Sequence, residues 1–204
     1  MQTAEETERY LASCGSPFWQ RVFAAELAYL LQYLKSADDI LSVGCGPATI
    51  ESSLAAMGFK VTGLDVSREA LSCAPDAIRT VAGSAEEMPF AEAAFDVVVY
   101  IASLQFIEAY RTALEKTARV LRPGGRVIAL LLNPESGFFK ERYADPNSYI
   151  RHLRHIDLQA IERAMTQFFD VRGEYALGLA GDAIVESQTA DTAALYVLHG
   201  SRRG

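Results

Sequence analysis

The run Ile40-Leu41-Ser42-Val43-Gly44-Cys45-Gly46-Pro47-Ala48-Thr49 reads as a strand that ends in a glycine-containing turn and opens a helix. Glycine at Gly44 and Gly46 lets a ligand approach the backbone closely and permits a positive φ in the turn. About 20 residues further on, the expected interval for this arrangement, a second strand ends in Val61-Thr62-Gly63-Leu64-Asp65. In a doubly wound α/β sheet an acid at that strand end faces the crevice, where its carboxylate can accept hydrogen bonds from both hydroxyls of a ribose. The two features together point to an adenosine-containing ligand.

The rest of the chain fits the same plan. Short apolar runs at 40–43, 60–64, 78–82, 95–101 and 126–132 alternate with helical patterns at 47–57, 67–73 and 108–121. Such alternation predicts a parallel sheet with helices on both faces, because right-handed crossovers place them there. Ahead of it, residues 3–13 read as a short polar helix, and Phe18, Val22, Leu27, Leu30, Leu31 and Leu34 follow helical spacing behind Pro17. After Leu132 the pattern breaks at Asn133-Pro134-Glu135-Ser136-Gly137, then predicts a helix over 148–167 and extended runs from Asp170 to Leu177 and from Thr192 to His199. No linker or repeat interrupts the chain. It divides into a helical cap at 1–38, a nucleoside-binding core at 39–132, a lid at 133–167 and a strand pair at 168–204.

Composition narrows the partners. With 204 residues the chain is long enough for one domain and an appendage, and 50% hydrophobic with 22% charged residues excludes disordered and collagen-like classes. The net charge of −7, with no basic tract longer than Ser201-Arg202-Arg203, argues against nucleic acid. Apolar runs are too short to span a bilayer and the acidic start does not resemble a signal peptide, so a cytoplasmic location without membrane attachment is expected. Cys14, Cys45 and Cys73 suggest neither a disulfide framework nor a metal site. Oligomeric state is not legible.

The dinucleotide fingerprint is incomplete, because Thr49 stands in the slot of its third glycine. A β-branched residue there hinders the close helix-strand packing that seats a pyrophosphate, which disfavours a nicotinamide-dependent oxidoreductase. The segments ILSVGCGPA at 40–48, VTGLDVS at 61–67, VAGSAEEMPF at 81–90, FDVVVYIASLQFIE at 95–108 and RVLRPGGRVIAL at 119–130 instead resemble class I S-adenosylmethionine-dependent methyltransferases. The likeness is to the small-molecule type related to the ubiquinone and menaquinone enzymes. It implies a doubly wound, Rossmann-like, seven-stranded and mostly parallel sheet with an antiparallel last strand. It also implies S-adenosylmethionine as cofactor, S-adenosylhomocysteine as product and a small-molecule acceptor.

Carried over to this chain, the resemblance places Gly44, Cys45 and Gly46 against the methionine part of the cofactor and Asp65 on the ribose. Val66 flanks the adenine, Ala85 lies beside the ring, and Ser103 to Gln105 close over the cofactor. Two positions depart from the pattern. Ser42 replaces an acid that helps bind the cofactor's ammonium, and Ser84 replaces the aspartate that accepts from the adenine amino group, with Glu86 or Glu87 near enough in sequence to compensate. A lost charge-assisted hydrogen bond costs about 1.5 to 3 kcal/mol. These replacements motivate an alternative, a non-catalytic relative serving as a ligand-binding or regulatory subunit.

The carboxyl ends of parallel strands carry ligands in such sheets, which sorts the remaining residues. The Arg122-Pro123-Gly124-Gly125 turn, Asp96 and His199 fall elsewhere and read as structural. Phe138 to Tyr143 and Tyr149 to His155 form the lid, whose Arg151 and Arg154 suit an acidic acceptor. Methyl transfer needs no dedicated catalytic residue; where the acceptor requires a base, His152, His155 or Tyr143 are the choices. Phe18 and Trp19 read as core residues with a second use as a cover for the cofactor. The run Ser103-Leu104-Gln105-Phe106 lacks the Asn/Asp-Pro-Pro-Tyr/Phe motif of DNA amino methylation.

Overall fold

A computed structural model describes residues 11–181 and 183–203, so most of the expected helix over 3–13 lies outside the described residues. Helix α1 spans Pro17–Leu31. Ser16 caps it by accepting from the Trp19 N–H at 3.4 Å, and Pro17 occupies the first turn, where its missing N–H costs nothing. Its buried stripe is Val22, Glu26, Leu27 and Leu30.

The core follows as β1 (Asp39–Val43), α2 (Thr49–Ala56), β2 (Lys60–Asp65), α3 (Arg68–Ser72), β3 (Arg79–Ala82), β4 (Phe95–Ile101), α4 (Tyr110–Val120) and β5 (Leu121–Leu132). Then come α5 (Gly137–Ala144), α6 (Leu158–Met165), β6 (Phe169–Ala180), β7 (Ala183–Val185) and β8 (Ala193–Arg202). The sheet order is β3-β2-β1-β4-β5-β8-β6-β7. Strands β1 to β5 pair in parallel, and β8 runs antiparallel to both β5 and β6. The doubly wound architecture is as expected, with eight strands among the described residues instead of seven. The additional strand arises because β6 runs past Leu177 and its last residues pair with the short β7, Gly178 opposite Val185.

Both faces of the sheet are covered. Leu41, Val98, Leu114 and Ile161 belong to the core beneath α4 and α6, whereas Ile40, Val97, Leu30 and Leu54 belong to the core beneath α1 and α2. Neighbouring residues on one strand thus enter opposite cores, as the period of two requires. Val43 pairs with Leu64, and Ser42 with both Gly63 and Val99, so the carboxyl ends of β1, β2 and β4 open on one side of the sheet.

Two boundaries differ from the sequence reading. Strand β5 begins at Leu121 because Phe95 pairs with it before a register shift to the Val97–Arg126 pair, which bulges out the Pro123-Gly124-Gly125 turn. The single helix expected over 148–167 is two elements, a 3-10 turn at Tyr149–His152 and α6, with Asp157 capping α6 by accepting from the Ala160 N–H at 2.8 Å. Between them Arg154 and His155 donate their backbone N–H groups to the Gln105 carbonyl at 3.1 and 3.2 Å, contacts that a continuous helix would forfeit. No helix among the described residues is long and apolar enough to cross a membrane.

Candidate functional site

The carboxyl ends of β1, β2 and β4 border a cavity of about 640 Å³, within the usual range for small-molecule sites. Gly44, Asp65, Val66, Ala85 and Ser103 all line it. Sequence-distant candidates therefore share one wall. The turn after β1 is built as glycine chemistry predicts: Gly44 and Gly46 have φ of 74° and 54°. A Cβ on Gly44 would stand 2.5 Å from the Ser103 Cβ, so the backbone there is packed too closely for any side chain.

Asp65 ties the two loops together. One carboxylate oxygen accepts from the Gly46 N–H and the other from the Ser67 N–H, each at 2.8 Å. Each oxygen retains accepting capacity toward the cavity. Ser103 donates to the Val43 carbonyl at 2.5 Å, which fixes the end of β4 against the end of β1.

The structure does not bring Cys45, Gly46, Ser84 and Gln105 onto the cavity wall. Cys45 is turned into the sheet, its sulfur 2.6 Å from where a Cβ on Gly63 would sit, and burial pushes its thiol pKa well up. Gly46 contributes its N–H to Asp65. Gln105 is fully buried, donating to the carbonyls of Leu132 and His155 at 3.1 and 3.2 Å and accepting from the Leu132 N–H at 2.7 Å. It pins the lid to β5 and does not reach the crevice.

The two serine positions each have a carboxylate beside them. Ser42 donates to Glu51 in the first turn of α2 at 2.5 Å, and both residues are buried. Ser84 donates to Glu86, and its hydroxyl also accepts the Glu86 N–H at 3.0 Å. Burial works to raise the Glu86 pKa, but hydrogen bonds from Ser84 and from the backbone of Glu86 and Ala109, with the Arg154 charge, hold it below the ordinary carboxylate range. Glu86 lines the cavity as an ionised acceptor.

Glu26 on α1 was not singled out by sequence reasoning. It is 5% exposed, lines the cavity, and makes no hydrogen bond or ion pair with the described residues. Burial, with the Glu51 charge adding to it, pushes its pKa up to about 8. The signal was present: four residues after Val22 and four before Leu30, it is an acid on an apolar stripe.

Residues of the segment 133–167 also line the cavity. Phe138 and Arg142 of α5 face Trp19 of α1 across the cavity mouth, and the Arg142 guanidinium lies 5.2, 5.7 and 5.4 Å from the ring centres of Phe18, Trp19 and Phe138. Phe18 and Trp19 thus pack in a small core with Phe138 and Ile150, while Trp19 also borders the cavity. Arg151, His152 and Arg154 line it too. His155 does not; its Nε2 lies 3.0 Å from each of the Ile107 and Glu108 carbonyls. Tyr143 does not line it either, although the Arg151 guanidinium lies 4.5 Å from its ring centre.

The residues read as structural sit away from this wall. Arg122 joins Asp39 and Asp96 at the amino ends of β1 and β4, and His199 contacts Tyr29 and Glu174 at 2.8 and 3.2 Å under α1. No group of three potential metal ligands occurs among the described residues.

Comparison with known proteins matches residues 41–129 to a methyltransferase domain family. The chain is 32% identical over 130 residues to a demethylmenaquinone methyltransferase of Mycolicibacterium gilvum, covering 63% of this chain and 55% of that protein. It is 30% identical over 182 residues to the O-methyltransferase resE of Aspergillus sclerotiorum, covering 74% of this chain and 69% of that protein. A solved SAM-dependent methyltransferase of Thermotoga maritima superposes with a TM-score of 0.80 at 18% identity, over 98% of this chain and 99% of the other, a likeness of fold. The chain spans between 30% and 55% of the length of several curated relatives that it matches.

Proposed function

Because the chain belongs to the S-adenosylmethionine-dependent methyltransferase family, we propose that it transfers a methyl group from that cofactor to a small-molecule acceptor held under the lid. The observation carrying the reading is the shared wall: Gly44, Asp65, Ala85 and Ser103 border one cavity from four strand ends. The donor set fits the cofactor. The Gly44 backbone borders the cavity with Ser103 packed where its Cβ would be, Asp65 has lone pairs free for ribose hydroxyls, and Glu86 is an anionic acceptor for an adenine amino group. Cys45, Gly46, Ser84 and Gln105 then act behind the wall, holding the turn, Glu86 and the lid.

Bound S-adenosylmethionine supplies a methyl group on a positively charged sulfur, already activated for in-line displacement. The protein's task is to position the acceptor and exclude water. Trp19, Phe138 and Ile150 offer an apolar wall for the acceptor's body, and Arg142, Arg151 and Arg154 favour an acceptor bearing negative charge. His152 is the histidine placed at the cavity to take a proton from a hydroxyl or an acidic carbon. The non-catalytic alternative loses its motive, since Glu51 and Glu86 bring carboxylates to the two serine positions.

Isothermal titration with S-adenosylmethionine and S-adenosylhomocysteine tests the reading. Binding by the native protein, weakened about tenfold to a hundredfold in Asp65→Ala, is expected from the loss of charge-assisted hydrogen bonds. Absence of binding by the native protein, or undiminished binding by the variant, rejects it.

A further inference from the structure

A carboxylate buried without a partner is costly, and the cost is avoided by protonation, by an internal hydrogen bond or by a cation. Within the chain Asp38, Asp39 and Asp96 have arginines. Glu51 has the Ser42 hydroxyl. Glu26 has neither a hydrogen bond nor a cation among the described residues, although it is 5% exposed and borders the cavity, which leaves protonation to hold it while no ligand is bound. The Glu51 charge adds to the cost of ionising Glu26, and Gly44 lines the same cavity.

We infer that Glu26, with the buried Glu51 charge behind it, forms a subsite for an alkylammonium group, and that the α-amino group of the bound cofactor fills it. This rests on the methyltransferase reading. The chemistry follows from the donor set: the Glu26 carboxylate, backed by the Glu51 charge, offers acceptors and no donors, which selects a cation with several N–H groups. An ammonium meets that need. A metal ion is less suited, because Ser42 and the apolar residues around Glu26 provide no further charged ligands. The acid that the family resemblance places at Ser42 is thereby supplied from two helices, Glu51 reaching the strand from α2 and Glu26 from α1.

The subsite couples ligand binding to a proton. Glu51 bears on Glu26, Asp65 bears on Glu51, and the buried Cys45 thiol is in turn raised by Glu51 and Asp65. With burial pushing Glu26 up to about 8, it carries a proton near pH 7 in the free protein. An arriving ammonium favours the ionised form, so binding releases that proton to solvent. A source other than the cofactor, an amine-bearing acceptor, has the same chemistry and is separated by the experiment.

The experiment compares S-adenosylhomocysteine with 5′-methylthioadenosine, which keeps the nucleoside and sulfur but lacks the amino acid, by calorimetry in buffers of differing ionisation heat. Glu26→Gln is expected to weaken S-adenosylhomocysteine tenfold or more, to leave 5′-methylthioadenosine within twofold, and to abolish proton release. Glu51→Gln, which keeps a hydrogen-bonding partner for Ser42, repeats the pattern. Equal weakening of both ligands makes Glu26 a structural residue and overturns the inference, as does no weakening of either. Native protein that binds 5′-methylthioadenosine and S-adenosylhomocysteine equally, but gains affinity for simple alkylamines through Glu26, overturns the assignment to the cofactor while the nucleoside reading stands. Failure of both nucleosides to bind the native protein removes the proposed function itself.

Discussion

At the amino ends of β1 and β4, Asp38, Asp39 and Asp96 are each held by an arginine, Arg126 at 2.6 Å and Arg122 at 3.1 and 2.6 Å. At the carboxyl ends of the same strands, Glu26, Glu51 and Asp65 meet no lysine, arginine or histidine within ion-pair distance among the described residues. The sequence places acids and a glycine turn at both ends. What separates them is neutralisation: at the amino end the acids are compensated by arginines, and at the end that borders a cavity Glu51 and Asp65 have only hydrogen bonds and Glu26 has no partner among the described residues. A paired surface acid is ordinary, whereas an unpaired buried one persists only where something repays its desolvation.

The contrast is broken or sharpened most strongly by pH. The folded pKa of Glu26, about 8 against an ordinary 4.5, means the native state keeps a proton that the unfolded chain has lost between those values. Its contribution is therefore whole below about pH 4.5 and is lost as pH rises through 8, on the order of a few kcal/mol. Thermal unfolding of the ligand-free protein from about pH 5 to about pH 9 should show falling stability, and Glu26→Gln should flatten the curve. Asp96 runs the other way. Burial works to raise its pKa, but the Asp39 N–H and Arg122 outweigh it and hold it below 3.8, so its stabilisation is lost only as pH falls through the acid range. A native protein whose stability does not decline toward alkaline pH would erase the distinction.

The two turns offer the next test, since Gly44 and Gly124 share a φ of 74°. Gly124 has open space where a Cβ would go, so Gly124→Ala should cost only the left-handed backbone penalty of about 1 to 2 kcal/mol and leave nucleoside binding intact. Gly44→Ala adds the clash with Ser103, raising the loss by about 1 to 3 kcal/mol, and should impair binding as well. Denaturant titration and calorimetry on both variants decide it; equal losses would mean the crevice turn is no more crowded than the distal one.

The smallest effect is expected at Arg122. Its side chain is 38% exposed and its partners Asp39 and Asp96 are 29% and 33% exposed, so solvent screens both pairs. Arg122→Ala should lower stability by about 1 kcal/mol or less and leave ligand affinity unchanged. A change in affinity would show that the two ends communicate through the strands.

Much of the fold was legible because its signals are short-range. The strand-turn-helix at Ile40 to Thr49, the acid closing β2 and the alternation of apolar runs with helical patterns are properties of neighbouring residues, and they settled the parallel core covered by helices. The position of Asp65 against the glycine turn follows from that topology. The lid was legible in composition but not in shape. Its single helix is divided because Gln105, some 50 residues away, holds His155 by its carbonyl, and no local pattern carries that information.

The sequence by itself determined a doubly wound sheet and the positive-φ glycine turn at the end of β1, since backbone geometry and side-chain period are set by residues close along the chain. Only the tertiary structure decided which acids are spent on the fold and which are left over. Glu26 reads locally as one acid on an amphipathic helix; its meaning comes from the place where α1 crosses the end of β1, where it meets Glu51 and no cation. Charge compensation is a property of three-dimensional neighbourhoods, and a one-dimensional pattern does not contain it.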